Sequence, residues 1–278
     1  MTFYMIPISQ VITKNDFIEL LLKLGLKSKA NVLVHSSMSK LGYVVNGAND
    51  IIDALIEVVG ATGTILMPAH SGQLSDPSSW TNPTISEREI NKVKKNMSVF
   101  DKKLTPVRAR GVIPSTFLNY PGVKRSEHPL NSVSALGSNS LYFTSEHDFN
   151  EPEGINSPIG KLYKKDGKVL LIGVGLSSCS AVHLAEYLAD VEYLYDDNPT
   201  VLKEKIKGLN NFVQIKKYPG TSEFFDKYIT ELNDKDYFMN ERFGSASIIL
   251  FDIKPVIDFF VAKLNVDPYC LIKPNIIK

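Results

Sequence analysis

The fold class this sequence predicts is α/β. Short apolar runs of strand length alternate with stretches of helical period, and 278 residues at 44% hydrophobic and 22% charged can bury a substantial core. No internal repeat or low-complexity linker breaks the pattern. In chain order, Phe17, Leu20, Leu21 and Leu24 share one helical face, with Thr13 and Asp16 spaced as a capping box and Gly25 as a stop. NVLVH at 31–35 suits a buried strand. A helix follows from about Asn49, with Ile51, Ile52, Leu55, Val58 and Val59 on its stripe and Gly60 at its end, and GTILMP at 63–68 reads as a second strand.

The stretch 69–106 is long and polar, punctuated by Pro77, Pro83 and Pro106, and holds the only tryptophan, Trp80. Structureless loops of that length usually serve a site, so the expectation is a functional segment or a helix near 86–96. A helical pattern at 113–120, strands at 132–136 and 168–175, and a helix at about 180–188 come next. Beyond Tyr193, strand-like FVQIKKY and SIILF mix with helical patterns at 223–232 and 255–264.

Charge narrows the function. Lys and Arg number 31 against 30 Asp and Glu, so the total gives no reason to expect a nucleic-acid or anionic-membrane partner. No apolar run reaches the roughly 20 residues of a membrane helix, and the opening MTFYMIPISQVITKNDF lacks the basic and apolar regions of a signal peptide, which predicts a cytoplasmic protein. Two cysteines, Cys179 and Cys270, make neither a disulfide scaffold nor a paired zinc motif, and no metal is expected.

Several constellations could carry chemistry. VLLIGVG before a helix offers Gly173 and Gly175 of a dinucleotide fingerprint, but Ser178 stands where the third glycine belongs, so a tight strand-to-helix turn is the competing reading. His183 and Glu186, three apart, share a helical face, which allows a carboxylate to orient an imidazole or leaves an ordinary polar face; zinc would need further ligands. Cys179 lies near the expected helix start, where a thiol is acidified, so a Cys–His acyl-enzyme competes with a buried structural thiol. In RSEHPLNS (125–132), Pro129 forces His128 into an extended backbone that would project its ring from a loop. In HSSMSKLG (35–42), a histidine and three serines follow a buried strand, where α/β proteins gather ligands, although a capped polar turn has the same residues. His70 and His147 have no such company.

Together, VLVHSSMSKLGYVVNGANDIIDALIEVVGATGTILMPAHSGQLSDPSSW (32–80), TPVRARG (105–111), YPGVKRSEHPLNSVSALG (120–137), SPIGKL (157–162) and VLLIGVGLSSCSAVHLAEY (169–187) resemble the aminoglycoside 3-N-acetyltransferase family in order and spacing. The resemblance implies one domain over 1–278, an α/β/α sandwich with a central mixed sheet that is unlike the GNAT fold. It implies an acetyl-CoA-dependent acetyltransferase acting on an amino sugar. It assigns His35, Ser36, Ser37, Met38, Ser39, Leu41 and Gly42, with Thr105 and Arg108 of the TPxR segment, to the coenzyme, and His183, Glu186 and His128 to catalysis, His183 as base. The pattern departs at 81–96, which lacks paired aromatics, at Leu188, where relatives often carry arginine, and past Asp196.

The expected mechanism is direct transfer, with backbone N–H groups of 36–39 or His128 stabilising the developing oxyanion. Glu186, Asp190, Glu192, Asp196 and Asp197, with no Lys or Arg among them, suggest a surface for a cationic acceptor, opposed to a basic-leaning set of Arg108, Arg110, Lys124 and Arg125 on the coenzyme side; a solvated acidic face is the bland alternative. The partners expected are acetyl-CoA and an amino sugar, with no nucleic acid and no membrane, and a homodimer is left open. A nucleotide-linked amino sugar as acceptor and an inactive CoA-binding protein are the competing functions.

Overall fold

A computed structural model describes residues 11–272. Both ends of the expected 1–278 domain, and the first ten residues of the stretch read for a leader, lie outside the described residues.

The chain begins with β1 (Val11–Ile12) and α1 (Lys14–Lys23), whose capping box forms as read: the Thr13 hydroxyl accepts from the Asp16 N–H at 3.3 Å and the Asp16 carboxylate accepts from the Thr13 N–H at 2.9 Å. Then come β2 (Asn31–Ser36), α2 (Met38–Leu41), β3 (Tyr43–Val44), which pairs with β1, α3 (Ala48–Val59) and β4 (Thr64–Pro68). The long polar stretch holds α4 (Glu87–Asn96), as predicted. After it lie α5 (Val112–Leu118), β5 (Lys124–Arg125), β6 (Val133–Gly137), α6 (Ser140–Ser145), α7 (Pro158–Lys164), β7 (Lys168–Ile172) and α8 (His183–Ala189). The remainder is β8 (Thr200–Ile206), β9 (Leu209–Gln214), α9 (Ile229–Leu232), β10 (Phe238–Phe243), β11 (Ala246–Asp252) and α10 (Ile253–Val266).

Seven strands form one mixed sheet in the order β10-β11-β7-β2-β4-β6-β5. The central β7, β2 and β4 run parallel and the flanking pairs are antiparallel. Period-two alternation sends each strand's side chains to two buried layers. Val32, Val34, Ile65, Met67, Leu170 and Ile172 pack under α1, α3 and α5, while Leu33, Leu66, Val169 and Leu171 pack under α8 and α10 on the other face. This is the α/β/α sandwich that was expected.

Besides the two-residue β1, β3 and β5, the half-exposed β8 and β10 escaped the sequence reading. β8 and β10 carry Lys203, Glu204 and Lys205, and Asn240, Glu241 and Arg242, so their one-sided burial reads as polar. The hairpin β8–β9 turns through Lys207 and Gly208, both at positive φ, and covers a third apolar cluster of Leu74, Leu130, Val201, Leu202 and Ile215. Asn210 Nδ2 donates to the carbonyls of Lys94 and Met97, which ties the hairpin to α4. The polar stretch is thus a built wall of the molecule. FVQIKKY is strand only to Gln214: the Ile215 N–H still bonds the carbonyl of Pro199 opposite it, but the proline has no N–H to continue the ladder.

Parallel strands deliver their C-terminal ends to one edge. β2 leads into Ser37 and α2, β4 into His70, and β7 through Gly173 toward His183.

Candidate active site

At that edge β7 ends in a turn whose glycines are used for packing. A Cβ on Gly175 would lie 2.3 Å from Asp226 Oδ1, and one on Gly173, at φ 65°, would lie 2.6 Å from Lys40 Cβ. Asp226 accepts from the Ser177 N–H at 3.0 Å and the Ser177 hydroxyl at 2.7 Å, which fixes the turn. The competing dinucleotide reading is thereby replaced: the glycines admit Lys40 and Asp226. A 3-10 turn, Ser180–Val182, then feeds α8, whose first residue is His183.

His183 Nδ1 donates to Glu186 Oε2 at 2.6 Å, and Tyr193 Oη donates to Glu186 Oε1 at 2.8 Å. The His183 side chain is 12% exposed and that of Glu186 is fully buried. Phe225 meets the imidazole edge-on at 5.1 Å. Burial is the largest influence on His183 and disfavours the imidazolium, but the charge and hydrogen bond of Glu186, with Glu153 beyond it, together hold the pKa above its ordinary 6.5. With Nδ1 committed, Nε2 carries the free lone pair.

Cavities meet at this histidine. One of about 160 Å³ is walled by His183, Glu153, Asn131, His70, Arg110 and Tyr218. Through Arg110 and Ser178 it adjoins a cleft of about 430 Å³ lined by His35, Ser36, Ser37, Met38 and Ser39, with Val112, Pro114 and Val174 as apolar walls. Hydroxyls, one guanidinium and an apolar wall suit a pantetheine arm, and the buried Ser36 Oγ has no partner among the described residues. Through Tyr218, Pro219 and Gly220 the same small cavity adjoins a groove of about 680 Å³ that carries Glu192, Asp196 and Asp197 beside Tyr193 and Tyr269. A further cavity of about 340 Å³ is lined by Trp80, Asn82, Arg108 and Arg110.

A profile of the aminoglycoside 3-N-acetyltransferase family matches residues 33–265. The chain belongs to this family. YokD of Bacillus subtilis, an SPbeta prophage-derived aminoglycoside N(3')-acetyltransferase-like protein, is 35% identical over 89% of this chain and 90% of its own. Aminoglycoside N(3)-acetyltransferase IX of Micromonospora chalcea is 28% identical over 92% of each chain. The crystal structure of YokD superposes with a TM-score of 0.86 at 33% identity over 95% of this chain and 97% of that one. AAC-IIIb, solved as a binary complex with CoASH, does so with 0.78 at 26% identity over 92% and 97%. Apo AAC(3)-IVa gives 0.82 at 27% identity over 95% and 93%. The chain is accordingly an acetyltransferase that uses acetyl-CoA as cosubstrate.

Within this aminoglycoside 3-N-acetyltransferase-family fold, several residues expected at the site lie elsewhere. His128 is fully buried: its Nδ1 accepts from the N–H groups of Leu130 and Asn131, its Nε2 donates to the Phe149 carbonyl, and burial pushes its pKa down to about 4. The proline sets the backbone, but the ring turns inward. Thr105 caps a turn by accepting from the Asp101 N–H at 2.8 Å. Arg125 is buried, donating to the carbonyls of Thr105 and Ala69 and to Ser132 Oγ, so it braces loops and lies outside the lining of the serine-rich cleft. Arg108 reaches the Asn82 carbonyl and lines the Trp80 cavity, outside the serine-lined cleft. Leu41 is a core side chain and Gly42 ends α2 at φ 91°, so neither lines that cleft.

Cys179 sits between two 3-10 turns, four residues ahead of α8, and burial pushes its thiol up to about 12, which favours the buried structural thiol over the acidified alternative. Asp190 pairs with Lys217 at 2.9 Å, which removes it from the acidic face. His35 stays with the site: burial first, then Arg110 and His183, holds it down to about 3, and its Nε2 lies 3.4 Å from Ser180 Oγ. His70, set aside from the sequence, lines the His183 cavity. Glu153, Asn131 and Tyr218 were missed because nothing local in the sequence links them to His183.

Proposed function

We propose that the chain transfers the acetyl group of acetyl-CoA directly to an amino group of an aminoglycoside or similar amino sugar, with His183 as general base. The observation that carries this is the Tyr193–Glu186–His183 relay, set where the serine-lined cleft meets the acidic groove. Acetyl-CoA supplies the thioester carbonyl. Glu186 holds the Nδ1–H, so Nε2 takes the proton from the attacking amine and returns it to the departing sulfur as the C–S bond breaks. The N–H groups of Met38 and Ser39, in the first turn of α2 and without intrahelical acceptors, and the Arg110 guanidinium are the donors in the same cleft for the developing oxyanion.

Glu192, Asp196 and Asp197 favour a cationic acceptor and oppose one bearing nucleotide phosphates. The relay opposes a protein that only binds CoA. The test is thiol release from acetyl-CoA across a panel of aminoglycosides and nucleotide-linked amino sugars, with His183→Ala in parallel. We expect turnover on the aminoglycosides and a loss of about two to four decades in the variant with acetyl-CoA affinity kept. Turnover within a few-fold of the parent would remove His183 as base, and turnover confined to nucleotide-linked sugars would replace the acceptor class.

A further inference from the structure

The transfer chemistry uses one buried carboxylate, Glu186, yet the same small cavity holds a second. Glu153, in the loop ahead of α7, is 2% exposed. Its Oε1 accepts from Asn131 Nδ2, while Oε2 is buried with no hydrogen-bond partner among the described residues. A buried carboxylate with a free oxygen and no ion pair is costly, and such groups persist where a ligand completes them. The loop framework holds this one in place. Ser126 Oγ accepts from the Val133 N–H and donates to His147 Nδ1, and His147 Nε2 donates at 2.7 Å to the carbonyl of Pro152, next to Glu153. His128 accepts from the Asn131 N–H and so fixes the residue that binds Oε1. The RSEHPLNS segment therefore reaches the site indirectly, as the scaffold of Glu153.

We propose that Glu153 is the counter-ion for a second ammonium group of the acceptor, beside the amine that reacts, and that it selects diamino sugars over sugars with one amine. This rests on the amino-sugar reading above. The second ammonium is the productive partner because a carboxylate against the reacting nitrogen would stabilise its protonated form and oppose attack. His183 already takes the proton. The cavity, at about 160 Å³, admits one edge of a sugar ring, and its continuity with the acidic groove through Tyr218 leaves room for the rest.

The charges around Glu153 fit a site that waits for a cation. His183 and Glu186 face it from α8, Arg110 from the segment before α5, and Tyr218 from the segment after β9. Burial, the largest influence, pushes its pKa up to about 7 against the pull of His183, the Asn131 hydrogen bond and Arg110. An arriving ammonium that donates to Oε2 adds to the pull of His183 and Arg110 and fixes the ionised form.

The test uses the full chain and its Glu153→Gln variant, with folding checked by near-UV circular dichroism. Gentamicin serves as the acceptor with two amines on its central ring and glucosamine as the acceptor with one. Calorimetry gives acceptor and acetyl-CoA affinities, and thiol release gives kcat and KM. The diamine-to-monoamine ratio of kcat/KM is expected to fall at least about tenfold in the variant, through the KM for gentamicin, with acetyl-CoA affinity kept. An unchanged ratio overturns the proposal, and so does a loss in kcat with KM unchanged, which would make Glu153 an acid–base group. If Glu153→Gln does not fold, the parent alone decides: it should bind 2-deoxystreptamine at least about tenfold tighter than the same ring with one amine replaced by hydroxyl, and equal affinities overturn the proposal. The two readings separate cleanly. Charge-selective binding without thiol release rejects the transferase and keeps Glu153, whereas thiol release with an unchanged ratio does the reverse.

Discussion

Three-residue spacing on a helix brings the His183 imidazole and the Glu186 carboxylate into a 2.6 Å hydrogen bond. The direction of the His183 shift gives a pH prediction. The base must be neutral, so kcat/KM falls as pH drops through a pKa held above 6.5. In Glu186→Gln the largest opposing charge is gone and burial dominates. The acid limb measured with the same acceptor should then move to lower pH, with kcat down by about tenfold or more; an acid limb that stays in place would detach Glu186 from the base. Cys179→Ala should keep turnover within about twofold and cost about 1 kcal/mol of stability, because a thiol pushed up to about 12 is a packing group and no nucleophile. An acetyl adduct on the parent protein, seen by mass spectrometry after acetyl-CoA alone, would contradict this. His128 shows the limit of local reasoning: Pro129 restricts its backbone, but only Leu130, Asn131 and Phe149 determine where the ring goes.

Elements buried on two faces were legible and elements that shape the cleft were less so. β2, β4 and β7 read as apolar runs because both faces of the sheet are covered by helices. β8 and β10 are solvated on one side, and their charges hid them. The turn after β7 was read correctly as tight, but its cause, the Asp226 carboxylate 51 residues on from Gly175, is invisible in the local sequence. That cause is testable. Since Asp226 is fixed by two bonds from Ser177, a methyl group at Gly175 cannot displace it freely. Gly175→Ala is expected to cost about 1–3 kcal/mol in denaturant unfolding and to lower kcat by shifting the turn that feeds His183. Unchanged stability and kcat would show the turn to be more pliable than its contacts indicate.

At the scale of the molecule, a net charge of +1 conceals an uneven distribution, and the structure redraws the one that the sequence suggested. Arg125 leaves the coenzyme side for the interior and Asp190 leaves the acidic face for Lys217. With Lys124 exposed on the edge strand β5 and Arg108 at the Trp80 cavity, what remains is Arg110 at the junction of the cavities and Glu192, Asp196 and Asp197 along the groove. We infer that the described layers act as one domain, because the third apolar cluster joins the 69–106 segment to the tail hairpin across the same edge that carries the site. A groove with this charge attracts polycations over distances that salt screens, about 10 Å at 0.1 M and about 3 Å at 1 M. Raising salt from about 0.05 M to about 0.5 M should therefore increase the KM for a polycationic aminoglycoside several-fold. Asp196→Asn with Asp197→Asn should raise that KM at low salt by about threefold to tenfold, flatten its salt dependence, and leave the KM for acetyl-CoA alone, because neither residue lines the serine cleft. If the double variant retains the salt dependence of the parent, the attraction comes from other exposed carboxylates, since the buried Glu153 is screened far less by salt.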